Sequence, residues 1–424
     1  MIDKIERPKT PEDWLALEFD IAQLFSTGPV DEERLFAGRT SQVRLLLETV
    51  FDRSKHAILF GERGVGKSSL ANIFWRRYGK TLQSFVIGRV QTDPSDDFTS
   101  LWTKALEELL AFAKMTGRAE LVPIEVEFDR VSPDTIRREL QKCNPNSIPI
   151  IIIDEFDKLY DEDAKELTAN LIKSLSDYNV TATIILVGVA ENVSDLVKGH
   201  ESIRRPLVQV KLDRMSNEEL NEILNLRLKL TPLKLDGDAR WKIVTLARGL
   251  PFYVHMLGKY SFQNAARERR LTVKDGDVDA AMDRFISETE QSFQDDYVTA
   301  TASNQTDAKF QEVLLACALA QSDDAGFFSP TSVIPPLKMI RKRPVTHANF
   351  QRHLTEFVSE DRGRVLIRRG QDRQFRYRFR DPMMQPYIII KGIRDEMVDE
   401  STRNALSYPE APLLPLSDPT SNDE

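Results

Sequence analysis

One stretch of eight residues constrains this chain more than any other feature. Residues 61–68, GERGVGKS, match the pattern G-x-x-x-x-G-K-[ST] between a predicted strand at 57–60 and a predicted helix from Ser69. Glycines let backbone N–H groups curve around a phosphate, and the helix N-terminus adds partial positive charge. We therefore predict a loop that binds ATP, with Lys67 on the β- and γ-phosphates and Ser68 on Mg²⁺. The predicted nucleotide ligands are Gly61, Glu62, Arg63, Gly64, Val65, Gly66, Lys67, Ser68 and Ser69.

A second motif lies at 150–155, where four isoleucines are followed by Asp154 and Glu155. Two carboxylates at the end of a buried strand are costly to desolvate unless a cation is close to them. We predict that Asp154 is a second Mg²⁺ ligand and that Glu155 is catalytic, polarising the attacking water. A solvated acidic loop is the weaker alternative, because the preceding run is entirely isoleucine. Asp157 and Lys158 are interpreted as the charged start of a helix.

Composition excludes several classes of protein. The chain has 424 residues, 41% of them hydrophobic and 29% charged, which indicates a globular protein of two or three domains. The net charge of −8 argues against general nucleic-acid binding but is compatible with a local basic face. Cys143 and Cys317 have no metal-binding spacing. No apolar run approaches the roughly 18 residues of a membrane span, and 1–13 lacks a secretory pattern, so we expect a cytoplasmic protein without a membrane partner.

The alternation of strands and helices predicts the domain organisation. Short β-branched stretches alternate with helical ones from about 30 to 214, which is typical of a parallel sheet covered by helices. From Ser216 to Tyr297 only helical patterns occur, and Thr299–Thr306 is interpreted as a linker. The predicted parts are an N-terminal segment (1–33), a P-loop core (34–215), a helical lid (216–298), a C-terminal module (306–396) and a disordered acidic tail (397–424).

The residue pattern of the C-terminal module predicts three helices followed by two strands. Helical spacing begins at Phe310, and period-two alternation surrounds Val365 and Phe379, on either side of a turn that contains Gly370. Three helices and a hairpin describe a winged helix. The hairpin is rich in arginine, which suits phosphate contacts, although a solvated strand face or a protein partner is the alternative. Double-stranded DNA is the predicted partner, with contacts from Arg341, Lys342, Arg343, Arg352, Arg368, Arg369, Arg373, Arg376 and Arg378.

The two nucleotide motifs together resemble the AAA+ superfamily, in particular its origin-recognition-like branch of replication initiators. The segment 35–39, LFAGR, resembles the motif that precedes the P-loop in that branch. The resemblance places Gly38 and Arg39 beside the adenine, and it extends over about 34–297. It implies an α/β P-loop core with a parallel sheet, a helical lid and a C-terminal winged-helix domain.

The resemblance also suggests sensor and finger residues. Asn192 follows the predicted fourth strand, where such ATPases place a polar sensor, although a helix cap explains it equally well. Arg204 and Arg205 stand where these proteins place an arginine finger that acts on a neighbouring subunit, which implies a homo-oligomer. The alternative is that both arginines complement the end of a helix.

The lid departs from the AAA+ pattern at residues 249–251, Gly-Leu-Pro, where a sensor arginine is missing. This G-x-P sequence resembles the STAND class of signalling ATPases, in which the proline contacts the adenine side of the nucleotide. Pro251 also fits the first turn of a helix for structural reasons alone. His255, one turn later, is either a phosphate sensor or a core histidine. The missing arginine predicts slow hydrolysis.

Three functions remain open from the sequence. The first is an ATP-hydrolysing, origin-recognition-like protein that couples nucleotide state to DNA binding. The second is a STAND-like switch that retains ADP in a closed state and oligomerises on a trigger, in a setting such as host defence. The third is an assembly scaffold that does not hydrolyse ATP.

Overall fold

A computed structural model describes residues 4–30, 32–76, 85–126, 130–190, 205–288, 291–302, 309–323, 325–371 and 374–398, without the side chain of Ser292. The chain forms two compact units. One comprises Pro29–Asp213, and the other comprises Met1–Gly28 with Arg214–Glu424. Within the described residues, no helix is both long and apolar enough to cross a membrane.

A five-stranded parallel sheet forms the centre of the unit Pro29–Asp213. Its strands occur in the order β2-β3-β4-β1-β5, and most of their residues are buried, as expected for a sheet with helices on both faces. The predicted strands are confirmed. Their bounds are β1 His56–Gly61, β2 Phe85–Gln91, β3 Ile148–Asp154, β4 Thr183–Val189 and β5 Leu207–Leu212.

The strand register brings both sequence motifs to one edge of the sheet. Gly61 pairs with Val189 of β4 and with Leu212 of β5, and Gln91 pairs with Asp154. All strands run the same way, so their carboxyl ends meet at this edge. The loop after β1 and the acidic pair at the end of β3 therefore lie at the same edge, separated by the single strand β4.

The described residues of this unit form five α-helices. The longest, α4, begins at a capping box formed by Asp97 and Ser100 and packs on β2. The contact is close at Gly88, where a Cβ would lie 2.8 Å from the carbonyl oxygen of Ala105. Trp102 of α4 is fully buried in the same core. The helices are α2 Thr40–Phe51, α3 Lys67–Ile73, α4 Phe98–Met115, α5 Pro133–Gln141 and α6 Glu162–Asp177, with α1 in the other unit at Pro11–Leu24.

The second unit contains the lid helices and the winged helix. The lid helices are α7 Asn217–Leu228, α8 Gly237–Ala247, α9 Pro251–Arg267, α10 Asp275–Glu288 and α11 Gln291–Thr301, with short strands β6 Lys234–Leu235 and β7 Thr272–Val273. The helix α11 extends into Thr299–Thr301, which the sequence had assigned to a linker.

The N-terminal helix packs on the lid helix α9. Phe25, just after α1, is fully buried against Gly258 of α9, where a Cβ would lie 2.5 Å from the phenylalanine ring. The guanidinium of Arg227 donates to the carbonyl of Leu24 at 3.2 Å and so caps the end of α1. Glu18 forms an ion pair with Arg267 of α9 at 2.6 Å. No pattern in the sequence predicts this packing.

The C-terminal module has the predicted three helices and hairpin. They are α12 Phe310–Leu319, α13 Pro330–Arg341, α14 Gln351–Phe357, β8 Leu366–Arg369 and β9 Arg376–Phe379. A further helix, α15 Met384–Arg394, was not predicted. It packs on α12, where Gly392 has no Cβ and Leu315 lies close to its backbone.

Candidate nucleotide-binding site

The loop after β1 has the backbone of a phosphate-binding loop. A Cβ on Gly61 would lie 2.2 Å from the carbonyl oxygen of Leu212, so only glycine fits there. Gly66 has a φ of 94° immediately before α3, a conformation that side chains other than glycine rarely adopt. Val65 is fully buried and anchors the loop. The loop is thus shaped to present backbone N–H groups and the start of α3 to an anion.

Lys67 is a buried ammonium group at this loop. Its Nζ donates to the carbonyl oxygens of Gly61 at 3.1 Å and Glu62 at 2.7 Å. Burial lowers the pKa of Lys67 to about 8, although the nearby charges of Asp157 and Asp154 oppose the shift. A bound phosphate would supply the negative charge that this desolvated cation lacks.

Ser68 and Asp154 lie together as predicted. The Ser68 hydroxyl donates to Oδ1 of Asp154 at 3.2 Å, and the backbone N–H of Glu155 donates to the same oxygen at 3.0 Å. Oδ2 of Asp154 accepts from the guanidinium of Arg89 at 2.8 Å. A hydroxyl and a carboxylate are oxygen ligands of the type that Mg²⁺ prefers, so these residues fit the predicted metal.

Glu155 follows in a left-handed backbone conformation, with a φ of 55°. Its Oε2 accepts hydrogen bonds from Gln91 and from Lys158, the latter at 2.7 Å. Burial raises the pKa of Glu155, but the hydrogen bonds from Lys158 and Gln91 outweigh it and leave the pKa below its ordinary value. The carboxylate is therefore ionised at neutral pH, as a group that polarises water must be.

Three residues at this edge were missed or misassigned. Arg89 and Gln91 extend from β2 to Asp154 and Glu155. Their signal in the sequence was two polar residues, two positions apart, at the end of an otherwise apolar strand. Asp157 is more than the start of a helix, because its carboxylate accepts from the backbone N–H of Val189 at 2.8 Å and ties the acidic segment to β4.

The residues before the P-loop hold the loop in place. Arg39 is buried with a φ of 57°, and it donates to the carbonyls of Val65 at 3.1 Å and Asp213 at 2.7 Å. The hydroxyl of Ser69 accepts from the backbone N–H of Val30 at 3.0 Å. Arg39 and Ser69 thus tie the chain before α2 to the loop. Whether Gly38 and Arg39 lie beside an adenine stays a prediction, as do the ligand roles of Glu62, Arg63 and Gly64.

Pro251 and His255 belong to the other unit, on α9. Pro251 occupies the first position of that helix, and His255 is buried. Burial, with the charge of Arg227 in addition, lowers the pKa of His255 well below its ordinary value. Its Nδ1 has no hydrogen-bond partner among the described residues. A neutral, buried imidazole is typical of a core histidine, and both nucleotide roles stay predictions.

Hydrogen bonds connect the G-x-P segment to the winged helix within this unit. Arg248, which precedes Gly249, donates to the carbonyls of Ala318 at 3.0 Å and Ala320 at 3.3 Å, at the end of α12. The hydroxyl of Tyr253 donates to the carbonyl of Met383. Burial lowers the pKa of Arg248 to about 10, so its guanidinium stays charged at neutral pH.

A buried glutamine completes these contacts. Gln385 of α15 donates to the carbonyl of Ala318 at 2.9 Å and accepts from Arg214 at 2.6 Å. Arg214 also donates to the carbonyl of Arg248 at 3.3 Å. A Cβ on Gly249 would lie 2.7 Å from the Cβ of Arg214. We name Arg214, Arg248, Tyr253 and Gln385 the polar clasp. It fixes the backbone on both sides of Leu250 to the winged helix.

The predicted DNA-binding residues differ in exposure. Arg341 is almost buried and pairs with Glu312 at 2.7 Å, so its charge is used inside the module. Arg376 pairs with Asp323 at 3.0 Å, and Arg378 stacks on Phe327. The exposed members of the predicted set are Lys342, Arg343, Arg352, Arg368, Arg369 and Arg376.

Three predicted residues, Asn192, Arg204 and Arg373, lie outside the described residues. Arg205 is described and is exposed. Its carbonyl accepts from the ammonium of Lys55 at 2.9 Å, which anchors the backbone at the start of β5. The sensor and finger roles therefore stay predictions.

Comparison with known proteins shows the fold and the family of this chain. Solved structures with a similar fold include the Aeropyrum pernix ORC2 protein in ADPNP–ADP complexes, at 12% identity, 89% and 98% coverage of the two chains and a TM-score of 0.50. Others are Cdc6p from Pyrobaculum aerophilum (14%, 88% and 98%, 0.47) and the Aeropyrum pernix ORC1 protein in complex with DNA (17%, 86% and 94%, 0.46). At these identities the likeness concerns the fold alone. No curated protein matches the chain. The family model described as Novel STAND NTPase 1 matches residues 29–315, well over half of the sequence, and the chain therefore belongs to the nSTAND1 family of STAND-class NTPases.

Proposed function

We propose that this protein is a nucleotide-dependent switch that retains an adenine nucleotide in a closed state and hydrolyses ATP slowly. The observation that carries the proposal is the polar clasp. Because Arg248 and Tyr253 lie on either side of Pro251, the segment proposed to contact the adenine cannot move without disturbing the winged helix. A change at the nucleotide is thereby coupled to a change in the winged helix.

The residues of the P-loop edge divide the chemistry among them. The Lys67 ammonium and the loop N–H groups bind the phosphates, and Ser68 with Asp154 would bind Mg²⁺. A bound Mg²⁺ would supply positive charge that offsets the negative charge on the transferred γ-phosphoryl group and on the ADP that leaves. Glu155 orients and polarises the attacking water. A trigger that opens the clasp would then permit assembly, with Arg204 or Arg205 acting on the nucleotide of a neighbouring copy.

Retention of ADP through purification tests this proposal. The wild-type protein is expected to carry bound ADP, and Pro251→Ala to release it at least about tenfold faster, since tenfold corresponds to the loss of only about 1.4 kcal/mol. Pro330→Ala is the matched control, because Pro330 also opens a helix, α13, and has no proposed nucleotide contact. Gln385→Ala is expected to accelerate release as Pro251→Ala does. Equal ADP retention in the wild type, Pro251→Ala and Gln385→Ala contradicts the switch.

Hydrolysis has its own test. Glu155→Gln is expected to bind ATP and to release no phosphate, as a water-polarising role requires. Unchanged phosphate release by this variant would remove Glu155 from the mechanism. Absence of phosphate release from the wild type would instead favour the non-hydrolysing scaffold.

A second candidate function is double-stranded DNA binding by the winged helix. It is favoured by the exposed cations of β8, β9 and the turn before α14, since exposed arginines on a hairpin suit phosphate contacts. Replacing Arg368, Arg369 and Arg376 by alanine is expected to weaken duplex binding and flatten its salt dependence. The matched control replaces the exposed arginines Arg44, Arg53 and Arg138 of the other unit. Equal binding by the two triple variants contradicts this function.

A further inference from the structure

The two oxygens of the Asp154 carboxylate have different partners. Oδ1 accepts from Ser68 and from the backbone N–H of Glu155, whereas Oδ2 accepts from the guanidinium of Arg89. Both oxygens of a buried carboxylate are therefore hydrogen-bonded. Arg89 forms an ion pair with Asp154 at 2.8 Å, and its positive charge balances the buried anion.

Arg89 reaches Asp154 from the neighbouring strand. It lies on β2 opposite Ile152, two residues before Gln91, which pairs with Asp154 itself. The side chain of Arg89 is 40% exposed, whereas that of Asp154 is 6% exposed. The guanidinium can thus move into solvent at little steric cost, while the carboxylate stays in place.

A guanidinium on this carboxylate competes with a divalent cation. Mg²⁺ takes oxygen ligands and is repelled by a neighbouring positive charge, so Asp154 cannot serve both partners fully at once. We propose that Arg89 is a positioning residue that holds Asp154 in the metal-free state and raises the Mg²⁺ concentration at which nucleotide and metal bind together. This inference rests on the proposed nucleotide site.

The consequence is a site with two charge states. Without Mg²⁺ the Arg89 charge neutralises Asp154, and nucleotide is bound by the loop and Lys67. With Mg²⁺ the guanidinium leaves Oδ2. A purely structural ion pair would instead change the stability of the sheet edge and leave the metal requirement as it is, because its removal alters no competition.

A metal titration distinguishes these roles. Binding of a fluorescent ADP analogue is measured first in chelator and then over a series of Mg²⁺ concentrations, and Mn²⁺ binding is followed by electron paramagnetic resonance. Arg89→Met is expected to lower the Mg²⁺ concentration for half-maximal binding about fivefold, the size expected for losing a partly exposed ion pair. Arg89→Lys retains the charge and is expected to lie between. The control is Arg53→Met, an exposed arginine after α2.

Each outcome has a clear meaning. An Arg89→Met protein whose metal requirement equals or exceeds that of the wild type overturns the inference, provided the wild type binds the analogue. A wild type that binds no analogue in either condition overturns the proposed nucleotide site instead. Should Arg89→Met fail to fold, Arg89→Lys and Arg89→Gln carry the test, and an unchanged metal requirement in both also overturns the inference.

Discussion

The two units of this chain differ in how their important residues are brought together. In Pro29–Asp213 the proposed site residues lie at or just beyond strand ends, since the loop that leads to Lys67 follows β1 and Asp154 ends β3. In the other unit the important contacts join residues far apart in sequence. Leu24 meets Arg227, and Arg248 meets Ala318. A parallel sheet collects strand ends at one edge by geometry, whereas helix packing depends on individual side chains that fit each other.

This difference teaches which substitutions should act locally. A change at the sheet edge should remove a proposed ligand contact but leave the sheet intact, because the strands are held by their own backbone hydrogen bonds. A change at a helix contact in the other unit removes the contact that positions a whole element. The predictions below test this contrast, beginning with the largest expected effect.

Phe25→Ala should destabilise the lid unit by about 3–5 kcal/mol, the usual cost of deleting a buried phenylalanine. The ring is fully buried and contacts Gly258, Phe262 and His255 around it. Hydrogen exchange should show lost protection in α1 and α9, while amides of β1 and β4 stay protected. Equal loss of protection in both units would contradict the expectation that this substitution acts locally.

Lys67→Ala should reduce nucleotide affinity about 100-fold or more, since about 3 kcal/mol is typical for a charge-assisted contact that is removed. Its effect on unfolding should be small, because the variant also removes a desolvated cation. Calorimetric titration with ADP measures the first quantity and thermal unfolding without nucleotide the second. A large fall in stability with unchanged affinity would mean that Lys67 serves the fold instead of the ligand.

The same contrast explains which elements and contacts could be predicted from the sequence. The five strands, the P-loop and the acidic pair follow from local patterns, and the structure has them where they were expected. The helix α15 was missed because its apolar residues, such as Ile388–Ile390, have no helical period, and packing on α12 decides its conformation. Arg89 and Gln385 were missed because their partners are long-range, and no spacing in the sequence connects Gln385 with Arg214.

Gly258→Ala should destabilise the lid unit by about 1–3 kcal/mol, as overpacking of a close contact does. A Cβ there would lie 2.5 Å from the ring of Phe25. Gly276→Ala in α10 is the matched control, because a Cβ at Gly276 meets nothing within 4 Å and alanine favours the helix by up to about 1 kcal/mol. Thermal unfolding should therefore shift in opposite directions for the two variants, and a shared direction would contradict the close packing of α1 on α9.

The smallest effect is the pH dependence of nucleotide binding. Burial lowers the pKa of Lys67 from 10.5 to about 8, so the ammonium form is present below pH 8 and is lost as the pH rises through that value. Affinity for ADP should fall by up to about tenfold per pH unit above 8, because one proton must be taken up with the phosphate.

Stability should change in the other direction over the same interval. Between pH 8 and 10.5 the unfolded chain binds more protons at Lys67 than the folded chain does, so this group makes the nucleotide-free protein more stable as pH rises.

The variant Lys67→Arg tests the pH dependence of ADP binding. Because its side chain stays charged, it should bind ADP with nearly constant affinity from pH 7 to 9.5. Calorimetric titration with ADP across this pH range measures the affinity of the wild type and of the variant. If the affinity of the wild type is equally constant, the buried ammonium does not set the pH dependence. The pKa of Lys67 in the nucleotide-free protein would then not be lowered by burial.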